Sequence, residues 1–502
     1  MNFKSISGLF ELRPVAVGIP RFTFPYTLIG RMHTYQVEKL YKTLPREMPL
    51  CITEKTIIRT EFFGTICFES SGSTFEGYGF LIYSNKLGSY LLSLCDGENT
   101  IASIMQQLLD KSLHVSESEV EKYYLTMINY GVINFCKKDP ETMYKYNPDY
   151  SLWGSNDSRL LSPLRLYLNI TQRCNLNCTH CYANAGSNCI QELSRKQISD
   201  LFHQAVEMKI PTIVLIGGEP LIYKGFLSVV EEAHRLGLSI YVASNAIAIS
   251  EAYAKKMKDV GLNCISVSVD GANAKTHDEL RGHGAYEKAL RGAKNCLKNG
   301  IGVTISTTIT SENICEIGDM VDFWVSEGVL DFQLMVFSPV GRGSHGNKLV
   351  PNNCEIVELK EILYGIISKY RNVHINCTGV VNASILENWH EKLGDEQMIK
   401  YVYTGCEAGR FRCDINFNGD IIPCILLSNI EFVKYNISQH SIKDAWTSRL
   451  FRDIGGTSTQ DKAVCEKCEG YHVCRGGCKG VIYSVYGNLS NQYPTCSNFL
   501  TI

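Results

Sequence analysis

Cys174, Cys178 and Cys181 lie within one short stretch of the chain, CNLNCTHCY. Three thiolates at this spacing can bind a metal centre, whereas a structural zinc site or an ordinary iron–sulfur cluster takes four protein ligands. The next cysteine along the chain, Cys189, follows Cys181 at a longer interval. A set of three therefore predicts a metal centre with one coordination position open for a substrate or cofactor. A partial zinc site is the alternative interpretation.

A second group of cysteines lies toward the C-terminal end of the chain. Its members are Cys406, Cys424, Cys465, Cys468, Cys474, Cys478 and Cys496, with Gly419 between the first two. The chain has 21 cysteines in 502 residues. In a reducing compartment this density indicates metal or redox chemistry rather than disulfides. A pair of zinc ribbons is the alternative for this group, and scattered cysteines such as Cys51 and Cys264 are interpreted as small buried hydrophobic residues.

The region around the first group alternates strand-like and helix-like patterns from about residue 160 to 340. The run LRLYLNI (164–170) precedes the cysteines, and similar β-branched runs follow it between amphipathic segments. Ser194 and Gln197 have the spacing of a capping box and predict the start of the first helix. This alternation predicts a parallel sheet covered by helices. Six such units predict the α/β class and a partial, TIM-like (β/α)6 barrel, in which the C-terminal ends of the strands carry the chemistry.

Polar motifs follow three of the predicted strands. They are Gly217, Gly218, Glu219 and Pro220 after the second strand, Ser244 and Asn245 after the third, Ser268 and Asp270 after the fourth, and Arg281 slightly further along. Glycines allow the backbone to approach a neighbouring group closely. Ser268 and Asp270 are two residues apart and share one face if the strand extends that far. For Ser244 and Ser268, ordinary polarity at a strand end is the alternative to a functional role.

The composition limits the classes of partner. The net charge is −2, and 20% of the residues are charged, so no global field favours nucleic acid or an anionic membrane. The start of the sequence lacks the apolar region of a signal peptide, and no apolar run has the length of a membrane helix. These features predict a cytoplasmic protein that binds neither nucleic acid nor membrane.

The cysteine triplet resembles the ligand set of the radical S-adenosylmethionine enzymes, and GGEP one β/α unit later resembles a second motif of that family. In the family, three thiolates hold a [4Fe–4S] cluster whose fourth iron binds the methionine part of S-adenosylmethionine. One electron then breaks the sulfonium C–S bond and gives a 5′-deoxyadenosyl radical. The resemblance implies that Cys174, Cys178 and Cys181 hold this catalytic cluster. It also implies cofactor contacts from Gly217, Gly218, Glu219, Pro220, Ser244, Asn245, Ser268, Asp270 and Arg281.

The C-terminal cysteines are similar to the SPASM extension of peptide-modifying radical enzymes, which binds auxiliary iron–sulfur clusters. The resemblance implies two such clusters. Their ligands would be Cys406, Cys413, Cys424 and Cys478 for the first, and Cys465, Cys468, Cys474 and Cys496 for the second. Cys413 lies outside the core spacing pattern. If Cys413 does not bind, the first auxiliary cluster has an open iron that could take a substrate thiolate.

The N-terminal region differs in pattern from the barrel. Two strand-like runs, FFGTICFES and GYGFLIYS, precede helical segments, one of which starts at Thr100. This order predicts a small, winged-helix-like α+β domain. The region resembles the peptide-recognition (PqqD-like) domain of ribosomal-peptide maturases, related to the pyrroloquinoline quinone chaperone, which binds a leader peptide as an added strand. An unrelated winged-helix or dimerisation domain is the alternative.

The predicted domains follow one another along the chain. They are residues 1–55, which carry no assignment, a leader-recognition domain at 56–137, a linker at 138–160, the barrel at 161–345, a bridging region at 346–400 and the SPASM domain at 401–502. This order resembles the sactipeptide and ranthipeptide synthases. The resemblance implies hydrogen abstraction from a precursor peptide, a bond from a cysteine sulfur to that carbon, and an auxiliary cluster as electron acceptor. The implied partners are a precursor peptide with its leader and a reductant such as flavodoxin or ferredoxin.

Three alternatives to this function stay open on the sequence. The same architecture makes carbon–carbon crosslinks and other peptide modifications. A barrel with a SPASM domain also occurs in haem-pathway and sulfatase-activating enzymes, which need no leader. A non-catalytic zinc-binding adaptor belongs to a different class and leaves the barrel pattern and GGEP without explanation. No general base is identifiable from the sequence.

Overall fold

A computed structural model divides the chain into two compact units, Met1–Leu161 (unit 1) and Ser162–Ile502 (unit 2). The structure describes residues 26–28, 47–54, 56–61, 64–69, 81–111, 113, 115–129, 131–136, 144–154, 160–186, 188, 190–345, 347–370, 373–378, 406–428, 435–456, 476–491 and 493. Most of the predicted N-terminal extension and much of the predicted bridging region lie outside these residues. Among the described residues, no helix is long and apolar enough to span a membrane.

Unit 1 combines an antiparallel sheet with helices. Its strands are β1 (Tyr26–Leu28), β2 (Leu50–Ile52), β3 (Thr56–Glu61), β4 (Gly64–Glu69), β5 (Leu81–Asn85) and β6 (Ile133–Phe135). Its helices are α1 (Lys86–Ser93), α2 (Ile101–Asp110) and α3 (Glu117–Asn129). The main sheet has the order β1-β5-β4-β3, and β2 pairs with β6. This arrangement agrees with the predicted α+β domain.

Local chemistry explains the helix starts and the core of unit 1. Thr100 caps α2, and its side chain forms a reciprocal capping box with Ser103. The fully buried Tyr123 and Tyr124 of α3 donate hydrogen bonds to the carbonyl oxygens of Gly88 and Leu91 in α1, at 2.8 and 2.9 Å. Each buried phenol therefore has a partner, as buried polar groups require.

Unit 2 contains the predicted barrel. Its strands are β7 (Arg165–Thr171), β8 (Thr212–Gly217), β9 (Ser239–Ser244), β10 (Cys264–Ser268), β11 (Gly302–Ile309), β12 (Asp331–Val336), β13 (His374–Thr378), β14 (Arg412–Ile415) and β15 (Ile421–Ile422). Its helices are α4 (Arg195–Glu207), α5 (Phe226–Arg235), α6 (Glu251–Asp259), α7 (Ala274–Arg281), α8 (Ala285–Lys298), α9 (Ile317–Ser326), α10 (Asn353–Lys369), α11 (Ile442–Trp446), α12 (Arg449–Gly456) and α13 (Lys479–Tyr486). The first six of these strands are the six predicted from the sequence.

The sheet of unit 2 is longer than predicted. Among the described residues its order is β13-β12-β11-β10-β9-β8-β7-β14-β15. Strands β7 to β12 pair in parallel and confirm the predicted α/β class with its partial barrel. Beyond β12 the sheet continues into β13, and beyond β7 it continues into β14, which pairs in parallel through Cys413 and Leu166. The predicted SPASM region therefore contributes a strand to the barrel sheet.

The parallel strands bring their C-terminal ends to one edge of the sheet. Ser194 caps α4 with Gln197 at the third helical position, which confirms the predicted capping box. The cysteine triplet follows β7, GGEP follows β8 and Asn245 follows β9. The sequence motifs thus meet at this edge, where open α/β sheets place their sites.

Candidate active site and cluster-binding sites

The cysteine triplet lies on the loop that follows β7, here called the triplet loop (172–186). Cys174 donates its backbone N–H to the carbonyl of Gly186 at 3.2 Å, and Cys181 donates to the carbonyl of Cys178 at 3.4 Å. The Cys174 Sγ accepts from the backbone N–H of Leu176 at 3.4 Å. Burial raises the pKa of Cys174 to about 12, and the neighbouring cysteines add to this shift. The three thiols therefore share one electrostatic environment.

The GGEP segment packs closely against the start of the triplet loop. Gly218 donates to the carbonyl of Thr171 at 2.7 Å, and Glu219 donates to the carbonyl of Arg173 at 2.8 Å. A Cβ atom at Gly218 would lie 2.1 Å from the Arg173 carbonyl oxygen, and one at Gly217 would lie 2.3 Å from that of Thr171. Only glycine permits this approach, so the two glycines fix the loop after β8 onto the loop that carries the cysteines.

Glu219 joins the ends of β8 and β9. Its Oε1 accepts from the Ser244 hydroxyl at 2.8 Å, and its Oε2 accepts from the backbone N–H of Asn245 at 2.8 Å. Burial raises the pKa of Glu219 to about 6, although these hydrogen bonds favour the ionised form. Asn245 in turn donates to the side chain of Asn175 at 2.8 Å and lies 3.9 Å from the Cys174 Sγ. Glu219, Ser244 and Asn245 therefore form one network that reaches the triplet, while Pro220 begins the short turn that follows.

Asp270 is the centre of a second network beside the triplet. Its Oδ2 accepts from Arg281 Nε at 2.5 Å and lies 3.2 Å from His180 Nε2, and its Oδ1 accepts from the backbone N–H of Thr308 at 2.8 Å. Burial raises the pKa of this fully buried carboxyl, but Arg281 and His180 outweigh that effect and hold the pKa well below its usual range. Asp270 is therefore ionised, and it forms an ion pair with Arg281 and contacts the His180 ring.

The Asp270 network reaches the cysteines directly. Burial raises the pKa of Cys178, and the charge of Arg281 opposes that rise. Thr179 donates to the carbonyl of Leu280 at 2.9 Å, which ties the triplet loop to the end of α7. β10 ends at Ser268, so Asp270 lies beyond the strand and Ser268 is half-buried at its end.

Three of the four cysteines predicted for the first auxiliary cluster come together. Cys406 and Cys478 are hydrogen-bonded, which lowers the pKa of Cys406 to about 5 and raises that of Cys478. Burial raises the pKa of Cys424 to about 12, and Cys406 adds to that rise. These cysteines come from distant parts of the chain: Cys406 precedes β14, Cys424 follows β15 and Cys478 caps α13.

Cys413 lies apart from these three. Arg412 and Asp414 form a bidentate ion pair at 2.6 and 2.7 Å, so their side chains share one face of β14, and Cys413 between them points to the other. Asp414 accepts a hydrogen bond from the backbone N–H of Ile425 at 2.8 Å, so the face of β14 that carries Asp414 is directed toward Cys424. Cys413 is fully buried, and a ligand role for it stays a prediction that this strand geometry does not support.

The predicted ligands of the second auxiliary site lie outside the part of the chain that the structure describes. They are Cys465, Cys468, Cys474 and Cys496. Among the described residues, no group of three or more His, Cys, Asp or Glu side chains is close enough to hold a single metal ion.

Sequence reasoning missed two arginines next to the cysteine sites. Arg412 lies with its guanidinium carbon 3.6 Å from the centre of the Tyr167 ring, and the Arg412–Asp414 spacing of two on a strand was a usable indication of the pair. Arg342, in the segment after β12, bonds to the triplet loop. Nothing in its local sequence predicts that contact, because the two segments are far apart along the chain.

The residues of the triplet loop fit an iron–sulfur cluster with a bound cofactor. The loop carries three thiols, of which Cys178 and Cys181 are near enough to raise the pKa of Cys174, and thiolates are the ligands that such clusters prefer. His180 is buried beside Cys181, and its Nδ1 has no hydrogen-bond partner among the described residues. An unsatisfied buried polar atom at this position is consistent with a polar group of the cofactor as its partner.

This barrel, with its cysteine triplet, has the form of a radical S-adenosylmethionine domain. The sequence profile of the Radical SAM superfamily matches residues 168–323, and that of the SPASM iron–sulfur cluster-binding domain matches residues 406–469. The chain is therefore a radical S-adenosylmethionine enzyme with a SPASM domain. Its barrel binds S-adenosylmethionine and a [4Fe–4S] cluster, and its SPASM domain binds auxiliary iron–sulfur clusters.

Several known proteins are similar to this chain. An AdoMet-dependent heme synthase of Methanosarcina barkeri is 26% identical over 67% of this chain and 96% of its own. The mycofactocin maturase MftC of Mycobacterium tuberculosis is 27% identical over 67% of this chain and 83% of its own. The crystal structure of Streptococcus suis SuiB bound to S-adenosylmethionine covers 89% of this chain and 99% of its own, with a TM-score of 0.64 and 20% identity, and so shows the shared fold.

Proposed function

We propose that this enzyme modifies a ribosomally made precursor peptide in the cytoplasm and forms thioether bonds between cysteine sulfurs and carbon atoms of the same peptide. A reductant such as flavodoxin or ferredoxin would supply the electron. The observation that carries the proposal is the α+β domain of unit 1, which is a compact unit separate from the one that contains the barrel and the SPASM domain.

The extent of the structural similarity supports a role for unit 1. Unit 2 begins at Ser162 and makes up about two thirds of the chain, so the match to SuiB over 89% must extend into unit 1. SuiB has also been crystallised bound to its precursor peptide SuiA. The match to the heme synthase covers 67% of the chain, which a barrel with a SPASM domain could supply alone.

In this proposal, unit 1 binds the leader of the precursor. Its sheet ends in β3 on one side and in the short β1 on the other, and an added peptide strand needs such an edge. A substrate bound through its leader has a raised effective concentration at the barrel. Unit 1 would therefore contribute affinity rather than chemistry.

The residues of unit 2 would divide the remaining tasks. Cys174, Cys178 and Cys181 would hold the catalytic cluster, which supplies a 5′-deoxyadenosyl radical from the bound cofactor. Glu219, through Ser244 and Asn245, would keep the ends of β8 and β9 in place against the triplet loop. The predicted cofactor contacts of Gly217, Gly218, Pro220, Ser268, Asp270 and Arg281 remain part of the proposal.

The first auxiliary site would accept the electron that the modified peptide releases. Cys406, Cys424 and Cys478 would be its ligands, and Cys465, Cys468, Cys474 and Cys496 would hold the second cluster. With Cys413 on the other face of β14, the fourth iron of the first cluster would be open to a substrate thiolate. Arg165 of β7 pairs with Glu407 at 2.6 Å, so this site is attached to the strand that leads into the triplet.

Mass spectrometry of a precursor peptide tests the proposal. The substrate would be a cysteine-containing peptide encoded beside the gene, incubated with reconstituted enzyme, S-adenosylmethionine and reductant. Each thioether removes two hydrogen atoms and one free thiol, so the peptide should lose mass and resist alkylation at that cysteine. Loss of hydrogen with every thiol still free would instead indicate a carbon–carbon crosslink.

A haem-pathway reaction is the second candidate, because two of the relatives are a heme synthase and an Fe-coproporphyrin III synthase. Deletion of residues 1–137 separates the candidates. If a leader is bound by unit 1, the deletion should weaken peptide affinity at least about tenfold and leave cofactor cleavage intact. If a porphyrin is converted and the deletion has no effect on that conversion, the peptide proposal is wrong.

A further inference from the structure

The segment that follows β12 packs directly on the triplet loop. Gly341 adopts a φ of +61°, and a Cβ atom there would lie 2.2 Å from the carbonyl oxygen of Tyr182 and 2.7 Å from that of Cys181. The next residue, Arg342, donates its backbone N–H to the Cys181 carbonyl at 2.9 Å. Because a Cβ atom would overlap these carbonyl groups, only glycine permits this approach, and Gly341 therefore lets the backbone of the segment reach the third cysteine.

The Arg342 side chain extends this contact across the loop. Its Nε donates to the carbonyl of Cys178 at 3.1 Å, and its Nη1 donates to the side-chain oxygen of Asn177 at 2.5 Å. Nη1 and Nη2 both donate to the carbonyl of Ala185, at 2.9 and 2.5 Å. The planar fork of a guanidinium thus joins the middle of the triplet to the end of the loop, which a single ammonium group cannot do.

The hydrogen-bond partners of Arg342 differ in kind from those of two other half-buried arginines near the cysteines. Arg281 pairs with Asp270, and Arg412 pairs with Asp414. In the described part of the chain, the partners of Arg342 are carbonyl and amide oxygens, and no carboxylate lies within ion-pair distance.

We propose that Arg342 is a positioning residue for the catalytic cluster: it fixes the triplet loop so that Cys174, Cys178 and Cys181 converge, and Gly341 permits the contact. Arg342 acts through the loop and touches no reacting group. The proposal concerns the cluster site alone and does not depend on the identity of the substrate. It can be tested without any peptide.

The main test compares reconstituted full-length wild type with Arg342→Ala. Iron release to a chelator and the electron paramagnetic resonance spectrum of the reduced protein, with and without S-adenosylmethionine, report on the catalytic cluster. We expect release from this cluster to be at least about tenfold faster, since each lost charged hydrogen bond corresponds to roughly that factor. The part of the spectrum that changes on addition of S-adenosylmethionine should shrink, while the auxiliary clusters retain their iron.

Graded variants distinguish positioning from a general role in folding. Arg342→Lys keeps the charge but not the fork and should give an intermediate rate of iron release. Asn177→Ala removes one partner and should have a smaller effect than Arg342→Ala. Arg291→Ala, which removes an exposed arginine of α8, is the matched control and should behave as wild type.

The Gly341→Ala variant tests the same contact between this segment and the triplet loop, but through the backbone. It retains Arg342 but places a Cβ against the Tyr182 carbonyl, so it should reproduce the cluster phenotype of Arg342→Ala. The proposal is overturned if Arg342→Ala releases iron at the wild-type rate with an unchanged spectrum. It is also overturned if that variant loses the auxiliary clusters equally, because Arg342 would then support the fold rather than the loop.

Discussion

The triplet site and the first auxiliary site each contain an ion pair between a buried aspartate and an arginine. The two sites differ in the structure that surrounds this ion pair. Each has a fully buried aspartate that binds an arginine and also bonds to a residue next to a cysteine. Asp270 binds Arg281 and His180, which precedes Cys181. Asp414 binds Arg412 and the backbone of Ile425, which follows Cys424.

The settings differ in what holds the cysteines. The triplet lies on a loop, and side-chain bonds from Asp270, Asn245 and Arg342 fix it to other strand ends. At the auxiliary site, Cys406 precedes β14 and Cys424 follows β15, and β14 is paired to β7 along its length, so a backbone ladder supports the strands that lie between these two cysteines. We conclude that the triplet site depends more on individual side chains than the auxiliary site does.

The largest difference should appear when the two aspartates are neutralised. Asp270→Asn leaves the Arg281 guanidinium without its carboxylate partner and should destabilise the region locally by about 3–5 kcal/mol. Asp414→Asn should lose only about 1.5–3 kcal/mol, since Arg412 still stacks on Tyr167 and β14 remains paired. Hydrogen-exchange mass spectrometry of peptides from β10–α7 and from β14 measures both local free energies.

Asp200→Asn is the control for this comparison, because Asp200 is exposed on α4 and should give wild-type exchange. Equal protection losses in the Asp270 and Asp414 variants would remove the proposed difference between the two sites.

The next effect concerns the close approach of GGEP to the triplet loop. Gly218→Ala forces a Cβ against the Arg173 carbonyl and should destabilise this edge by about 1–3 kcal/mol, with slower deoxyadenosine formation. Gly186→Ala lies at the other end of the same loop, where a Cβ would meet nothing within 4 Å, and should be close to neutral. Both variants are measured by hydrogen exchange and by deoxyadenosine yield, and similar results for the two would show that crowding at Gly218 does not matter.

The smallest effect is a pH dependence from Glu219. Its pKa is about 6 in the fold against an ordinary value of 4.5, so the fold favours the protonated form. Its contribution to stability is therefore greatest below pH 4.5 and falls by about 2 kcal/mol as the pH rises through 6. In wild type, the hydrogen-exchange protection of the β8 and β9 amides, corrected for the pH dependence of intrinsic exchange, should decline across this pH window.

Glu219→Gln removes the titrating group and serves as the test variant. Its hydrogen-exchange protection should be close to that of wild type at acid pH, where the protonated Glu219 also presents one carbonyl oxygen and one donor, and it should stay flat across the window. A wild-type profile that is also flat would show that Glu219 does not titrate there.

The sequence predicted those parts of the fold and site that depend on local pattern. The six barrel strands, the capping box at Ser194, the helix start at Thr100, and the position of the triplet after β7 all follow from spacing and periodicity. GGEP was predicted to follow the second strand, and the structure adds a direct contact with the triplet loop, between Gly218 and the Arg173 backbone.

Contacts between distant segments could not be predicted in this way. The pairing of β14 with β7 and the bonds of Arg342 to the triplet loop depend on how the chain returns to the barrel. Cys413 shows the same limit: the family resemblance implies a ligand, but the strand geometry turns its side chain away from Asp414 and toward the core.

The most direct test of the central claim, that the triplet holds a catalytic cluster separate from the auxiliary sites, is the iron and sulfide content of the anaerobically reconstituted enzyme. Wild type is compared with the variant in which Cys174, Cys178 and Cys181 are replaced by alanine. We predict that about twelve irons fall to about eight and that deoxyadenosine formation is lost. An unchanged iron content, or continued cleavage of the cofactor by the variant, would contradict the assignment of the triplet.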